Sequence, residues 1–382
     1  MAGKILILNP YYLPGYRSGG PQRTVENLVD YFGKRYDIYI LTQDHDFGDT
    51  TRYEGIVTNT WTEVGDAKVM YVSTRDYQWK AIKKAYAQFD VIYSCGLFER
   101  NTVALLLIHR FSSSHNKKVY IAPMGVFSEG AFYNKSHAKK RLFVSLYNFV
   151  GAFKNIKWSF TTSEEARMAE RILKRTINAD EYIIAEDLPR KVDFNRYRAI
   201  AADSAKEAGK LNLVYISRIP PKKNLLYALE LLSFEYNGQI AYDIYGVRED
   251  EKYWRACEEK MSGLPENIHV NYRGELTPQQ VVDTFSGYDA FLFPTKGENY
   301  GHIIYEALSA GCVPIISNLT PWKGECALAH GLDDADAFRE DIRRLMGMER
   351  RELIKLKNAC IDYAESAYIK STADTGYEKV FQ

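Results

Sequence analysis

Short apolar runs rich in β-branched and aromatic residues recur along this chain, each followed by a stretch of helical periodicity. This alternation limits the possible folds more than any other feature. The first half holds KILILNP, DIYILTQ, AKVMYV, FDVIYSCG, KKVYIAPMG and WSFTTS, and the second holds LNLVYIS, IAYDIYG, IHVNYRG, DAFLFPT and CVPIIS. Strands that are apolar at nearly every position, alternating with amphipathic helices, belong to parallel sheets covered on both faces. Two such series predict an α/β protein of two doubly wound, Rossmann-like domains, each with a ligand crevice at the carboxyl ends of its strands. The length of 382 residues agrees, because single cores rarely grow that large.

Between the series lies DLPRKVDFNRYRAIAADSAKEAGKLN, polar and poor in strand signals, so the expected domains are 1–195 and 196–360. The stretch that follows, 361–382, reads as helical with no further strand.

Composition excludes several functions. A formal charge of +1 lacks the basic excess of a nucleic-acid binder. The cysteines Cys95, Cys257, Cys312, Cys326 and Cys360 are odd in number and widely spaced, the pattern of reduced thiols in a cytoplasmic protein. MAGKILILNPYY runs directly into a strand, so no signal peptide is expected. No apolar run approaches the ~20 residues that a membrane span needs.

Three places could carry chemistry. After the first strand, Gly19 and Gly20 precede a helix whose apolar positions are Val25, Leu28, Val29 and Phe32. A glycine pair lets backbone amides approach a ligand, although the same pair also serves as a simple turn, and the pattern is not GxGxxG. In ISRIPPKKN, Arg218 follows a strand and Lys223 comes five residues later, two fixed cations suited to a diphosphate or to an ordinary solvated loop. In FPTKGENYGHIIYEALSAG, Glu298 falls in a loop with Asn299, Tyr300, Gly301 and His302, while Glu306 falls on the helix expected over about Tyr300–Ala310. Glu306 there suits a pair of vicinal hydroxyls, and equally a cap or an ion pair.

In this order, Arg218…Lys223 and Glu298…Glu306 resemble the donor site of the retaining glycosyltransferases of family 4, which have the two-domain GT-B architecture. SRIPPKKN is similar to the family's GR-L-x-x-x-K-G segment, with Asn224 in place of the last glycine, and Glu298–Glu306 matches its E-x7-E motif. The Gly19–Gly20 loop, FTTSEEA (Phe160–Ala166), SAGCVPIIS and APMGVFSEGAF (Ala122–Phe132) extend the resemblance over nearly the whole chain, the last being similar to a segment of polysaccharide-, capsule- and O-antigen-assembling members.

The resemblance implies two Rossmann-like domains facing a central cleft, the first binding the acceptor and the second the nucleotide-sugar, with 361–382 crossing back onto the first. It implies a retaining hexosyltransferase that moves a sugar from a nucleotide-sugar, UDP-linked or GDP-mannose, to a glycan or lipid-linked sugar. Arg218 and Lys223 would bind the diphosphate, Glu298 the transferred sugar with the help of Asn299, Tyr300, Gly301 and His302, and Glu306 the ribose. Gly19 and Gly20 would approach the diphosphate. No metal or other cofactor is implied, since the two cations supply the charge and no DxD triplet is present. Many members also carry a His in the first domain, and here that neighbourhood, APMGVFSEGAF, has none; Glu129 and a backbone group are the candidates to replace it, and the role stays unassigned. Another GT-B enzyme such as a sugar-nucleotide epimerase, and a non-catalytic nucleotide-binding scaffold, are the alternatives.

From Gly130 to Ser163 there is no Asp or Glu, while Lys135, Lys139, Lys140, Arg141, Lys154 and Lys157 interleave with Phe143, Leu146, Tyr147, Phe149, Val150 and Phe153. A basic, aromatic helix of this kind suits a surface resting on anionic lipid, and also a domain helix with its apolar face in the core. The expectation is a cytoplasmic protein with a peripheral contact to the inner face of the cell membrane through 134–158.

Overall fold

The computed structural model describes residues 4–77, 79–113, 116–128, 132–133, 137–324 and 326–381. Within it the chain forms two compact units, Met1–Leu188 with Ser371–Gln382, and Pro189–Lys370.

The first unit is built on an eight-stranded sheet. Its strands are β1 (Lys4–Leu8), β2 (Asp37–Gln43), β3 (Trp61–Val64), β4 (Ala67–Val72), β5 (Val91–Cys95), β6 (Lys118–Ala122), β7 (Lys157–Phe160) and β8 (Tyr182–Ile184). They run in the order β3-β4-β2-β1-β5-β6-β7-β8, parallel except for the antiparallel β3–β4 pair. Ile5, Leu6, Ile7 and Leu8 are all buried because helices cover both faces.

The second unit holds a six-stranded parallel sheet. Its strands are β9 (Lys210–Ile216), β10 (Gln239–Tyr245), β11 (Ile268–Gly274), β12 (Ala290–Phe293), β13 (Val313–Ser317) and β14 (Leu328–His330), in the order β11-β10-β9-β12-β13-β14. The winding reverses between β9 and β12. Chains leaving two adjacent strands in opposite directions open a crevice at their carboxyl ends, which is where ligands bind in such sheets.

The limits of the units differ from those expected. The second unit opens at Pro189, because the helix Phe194–Ala202 places Phe194, Tyr197 and Ala201 in its core. The helix Arg350–Ala373 stays with that core through Leu353, Cys360, Ile361 and Ala364, so the return to the first unit falls at Ser371 rather than 361. There the Tyr31 hydroxyl donates to the Thr372 carbonyl (2.6 Å), Arg35 pairs with Glu378 (2.8 Å), and Phe381 stacks on Phe32 with ring centres 4.4 Å apart.

Among the described residues no helix is long and apolar enough to cross a membrane. The helix His137–Phe149 buries Val144 and Tyr147, yet leaves Leu142 (71%), Leu146 (53%) and Phe149 (89%) exposed. Glu129 and residues 134–136 lie outside the described residues.

Candidate functional site

The loops after β9 and β12 meet at the reversal point of the second sheet. After β9, Pro220 and Pro221 lead into a single 3-10 turn, Pro221–Lys223, whose missing proline N–H would have had no partner in any case. Asn224 then adopts a left-handed conformation (φ 61°) before the helix Leu225–Leu232 begins. Its side-chain amide donates 2.9 Å to the Pro294 carbonyl at the end of β12. Asparagine is among the few residues that tolerate this conformation, which explains how it stands where the family pattern has glycine.

Across the gap, the Lys223 Nζ lies 2.6 Å from the Glu298 Oε1, and the Thr295 hydroxyl donates to the same oxygen at 2.9 Å. Both side chains are largely buried, at 16% and 11% exposure, so the pair is only weakly screened by solvent. The Lys296 amide donates to the Lys222 carbonyl (2.9 Å) and the Glu298 amide to that of Leu319 (3.2 Å). The loop that carries the carboxylate is therefore held by backbone bonds on both sides.

Arg218, two residues beyond β9, forms a hydrogen-bonded ion pair with Glu249 in the loop after β10. Backbone bonds join the two loops, Ser217 N to Tyr245 O (3.1 Å) and Ile219 N to Val247 O (2.9 Å). Gly246 makes this approach possible: at φ 143°, a Cβ there would sit 1.8 Å from the Ser217 carbonyl oxygen.

The helix after β12 spans His302–Ser309, with left-handed Gly301 (φ 79°) at its start. The Tyr300 carbonyl accepts from the Trp322 indole N–H (2.6 Å), and the Tyr300 ring meets Trp322 edge-on at 5.4 Å and His302 at 4.7 Å. Glu306, the fifth helical residue, is 2% exposed, and its carboxylate lies 4.0 Å from Arg190. Thus Lys223 and Glu298 are brought together, Tyr300 and His302 stand beside them in sequence, and Glu306 is turned toward Arg190. Trp322, Arg190 and Glu249 were missed, because nothing local marks a tryptophan or an ion-pair partner supplied from a distant loop.

In the first unit, Gly19 (φ 81°) and Gly20 open the helix Gly20–Phe32. The loop before them is fixed by Asp46, whose carboxylate accepts the amides of Tyr16 (2.9 Å) and Arg17 (3.2 Å). FTTSEEA has a structural role: the buried Glu165 carboxylate accepts from the Gly125 amide (2.7 Å), the Thr161 amide (2.9 Å) and the Thr161 hydroxyl (2.9 Å). Burial raises its pKa above the usual carboxylate value, against the opposing pull of those bonds.

Residues 197–366 match the family model of glycosyl transferases group 1. The chain is 21% identical over 306 residues to an uncharacterized 41.2 kDa protein in the cps region of Klebsiella pneumoniae, covering 78% of this chain and 80% of that one. It is 28% identical over 137 residues to O-antigen chain mannosyltransferase B of Escherichia coli, covering 34% and 35% of the two chains. Among solved structures it resembles Anabaena HepE in complex with UDP and glucose, with a TM-score of 0.67, 13% identity and 97% coverage of both chains.

Proposed function

We propose that the chain, whose residues 197–366 match the family model of glycosyl transferases group 1, is a glycosyltransferase that moves a hexose-type sugar from a nucleotide-sugar to a glycan or lipid-linked sugar acceptor during assembly of a cell-surface polysaccharide. The observation that carries this reading is the Lys223–Glu298 contact of 2.6 Å at the reversal point of the second sheet, with Arg218 on the same loop as Lys223. A cation that suits a diphosphate and a carboxylate that suits sugar hydroxyls thus stand one hydrogen bond apart. Resemblance to a structure containing UDP and glucose supports a uridine donor, and similarity to a mannosyltransferase keeps GDP-mannose as the rival.

In the proposed reaction Arg218 and Lys223 hold the diphosphate and stabilise the charge that grows on it as the bond from the anomeric carbon to the phosphate oxygen breaks. Glu298 orients the sugar through its hydroxyls, and Glu306 is assigned to the ribose by its place in the motif. The acceptor hydroxyl attacks on the face from which the nucleotide leaves, its proton passing to the departing phosphate, so configuration is retained and no metal is required. Because this same-face attack uses no protein nucleophile, Glu298 is not assigned as one of a glycosidase pair of carboxylates.

Incubating the protein with UDP-glucose, UDP-galactose or GDP-mannose and an acceptor saccharide, with and without EDTA, tests this. One donor should be consumed equally in both conditions, and the anomeric coupling of the product should match that of the donor. Lys223→Ala should lower kcat/KM by roughly 100- to 1,000-fold. Normal transfer by Lys223→Ala or Glu298→Ala, or an inverted product, would contradict the assignment.

A second observation favours a peripheral contact with anionic lipid. Leu142, Leu146 and Phe149 are spaced four and three apart and so share one face of the helix His137–Phe149, and all three are exposed. Phe111, 73% exposed, sits beside the end of that helix, where the Arg110 Nε donates to the Val150 carbonyl at 3.0 Å. Exposed Lys139, Arg141 and Lys154 flank the stripe. An apolar ridge with cations at its margins matches the boundary between acyl chains and anionic headgroups.

A further inference from the structure

Arg218 is expected to hold the donor's diphosphate, yet in the empty site its guanidinium is already bonded to a carboxylate, that of Glu249. Resting on the reading above, we infer that Glu249 is a built-in competitor of the diphosphate, which must displace it from Arg218 to bind and which it displaces again when the nucleotide leaves.

Three observations support this. Glu249 is delivered by rigid neighbours on both sides. The Arg248 guanidinium lies over the rings of Trp254 (4.4 Å) and Tyr272 (4.0 Å), and the Asp250 carboxylate caps the helix Glu251–Ser262 by accepting from the Tyr253 amide at 2.9 Å. Backbone bonds and the close approach at Gly246 then fix the whole loop against the Arg218 loop. Next, both cations are already engaged without ligand, Arg218 by Glu249 and Lys223 by Glu298, with Lys222 close enough to Arg218, Lys223 and Glu298 to interact with all three. An incoming diphosphate that is to bond Arg218 or Lys223 must take the place of the carboxylate already on it. Finally, the two carboxylates are not equally held. Glu298 accepts from the Thr295 hydroxyl as well as from Lys223 and has its amide bonded to Leu319, whereas among the described residues the Glu249 carboxylate accepts from Arg218 alone. Glu249 is the one that moves.

Displacement exchanges one charge-assisted bond for another, so the carboxylate lowers affinity without altering the geometry of Arg218. It thereby sets nucleotide affinity and hastens product release.

Calorimetric titration of the full-length protein with UDP and GDP, using wild type, Glu249→Gln, Glu251→Gln and Lys223→Ala, tests the inference. Whichever nucleotide the wild type binds should bind Glu249→Gln roughly three- to tenfold more tightly, the size of one partly shielded ion pair. Glu251→Gln removes the same charge two residues away and should leave affinity unchanged, while Lys223→Ala weakens it. Glu249→Gln should also show stronger product inhibition. Weaker binding by Glu249→Gln would overturn the inference and make Glu249 a positioning residue for Arg218. Unchanged binding, or equal tightening by Glu251→Gln, would overturn it too. If the wild type binds neither nucleotide, the donor-site reading itself fails and the inference falls with it.

Discussion

Asn224 combines two requirements in one side chain: it accepts a left-handed backbone at φ 61°, and it ties the β9 loop to the β12 loop through Pro294. Replacement by alanine keeps the backbone demand, removes the tolerance and leaves the Pro294 carbonyl without its donor, at a cost of about 2 kcal/mol or more. Glycine meets the backbone demand and loses only the bond, about 1 kcal/mol. Denaturant unfolding should therefore rank the Asn224→Gly protein above Asn224→Ala, the reverse of what helix propensity alone gives. Equal stabilities would mean that the left-handed turn carries no strain. At this scale the motif order was enough to suggest that Lys223 and Glu298 stand near each other. The Arg218–Glu249 and Glu306–Arg190 pairs were not legible, because their members are joined only by the register of adjacent loops and elements.

Each apolar run quoted from the sequence became a strand; burial on both faces leaves a strong signal in the central strands, and in β10 and β11 buried positions alternate with more exposed ones. The strands that went unseen, β3, β8 and β14, are three or four residues long, and β3 at the sheet edge is partly exposed, so no apolar run marks them. The helix His137–Phe149 shows a different limit. Its periodicity predicted a helix, but only the fold reveals that the face carrying Leu142, Leu146 and Phe149 is left uncovered. If that face meets lipid, the protein should co-sediment with phosphatidylglycerol vesicles in low salt and far less with phosphatidylcholine. Replacing Leu146 and Phe149 together by glutamate should reduce the partition coefficient at least thirtyfold, about 2 kcal/mol for one buried ring. Both positions are exposed, so circular dichroism should be unchanged. Binding that ignores anionic lipid, salt and the double substitution would remove the membrane from the account.

At the scale of the whole molecule, the unexpected feature is where the chain leaves the second unit. Helical periodicity runs without interruption through Arg350–Ala373, and nothing in it marks the point at which its burial partners change. The segment Ser371–Gln382 then completes the first unit, burying Tyr377, Val380 and Phe381. Phe381 is 4% exposed and stacks on Phe32, and the Tyr120 hydroxyl donates 3.1 Å to the Lys379 carbonyl. The first unit's core is therefore closed by residues more than 180 positions beyond Leu188. Such closure makes the stability of β1, β2 and the helix Gly20–Phe32 depend on a segment far along the chain. Phe381→Ala should cost about 3–5 kcal/mol, the usual penalty for emptying a buried aromatic site. Hydrogen exchange should show the loss in Ile5–Leu8 and Ile38–Leu41, whose Ile5, Ile7, Ile38 and Ile40 side chains share a core with Phe381. Asp374→Ala, at an exposed position of the same segment, should stay within about 0.5 kcal/mol of wild type. Unchanged protection of β1 and β2 in Phe381→Ala would mean that the segment Ser371–Gln382 only rests on the first unit and does not help to hold it together.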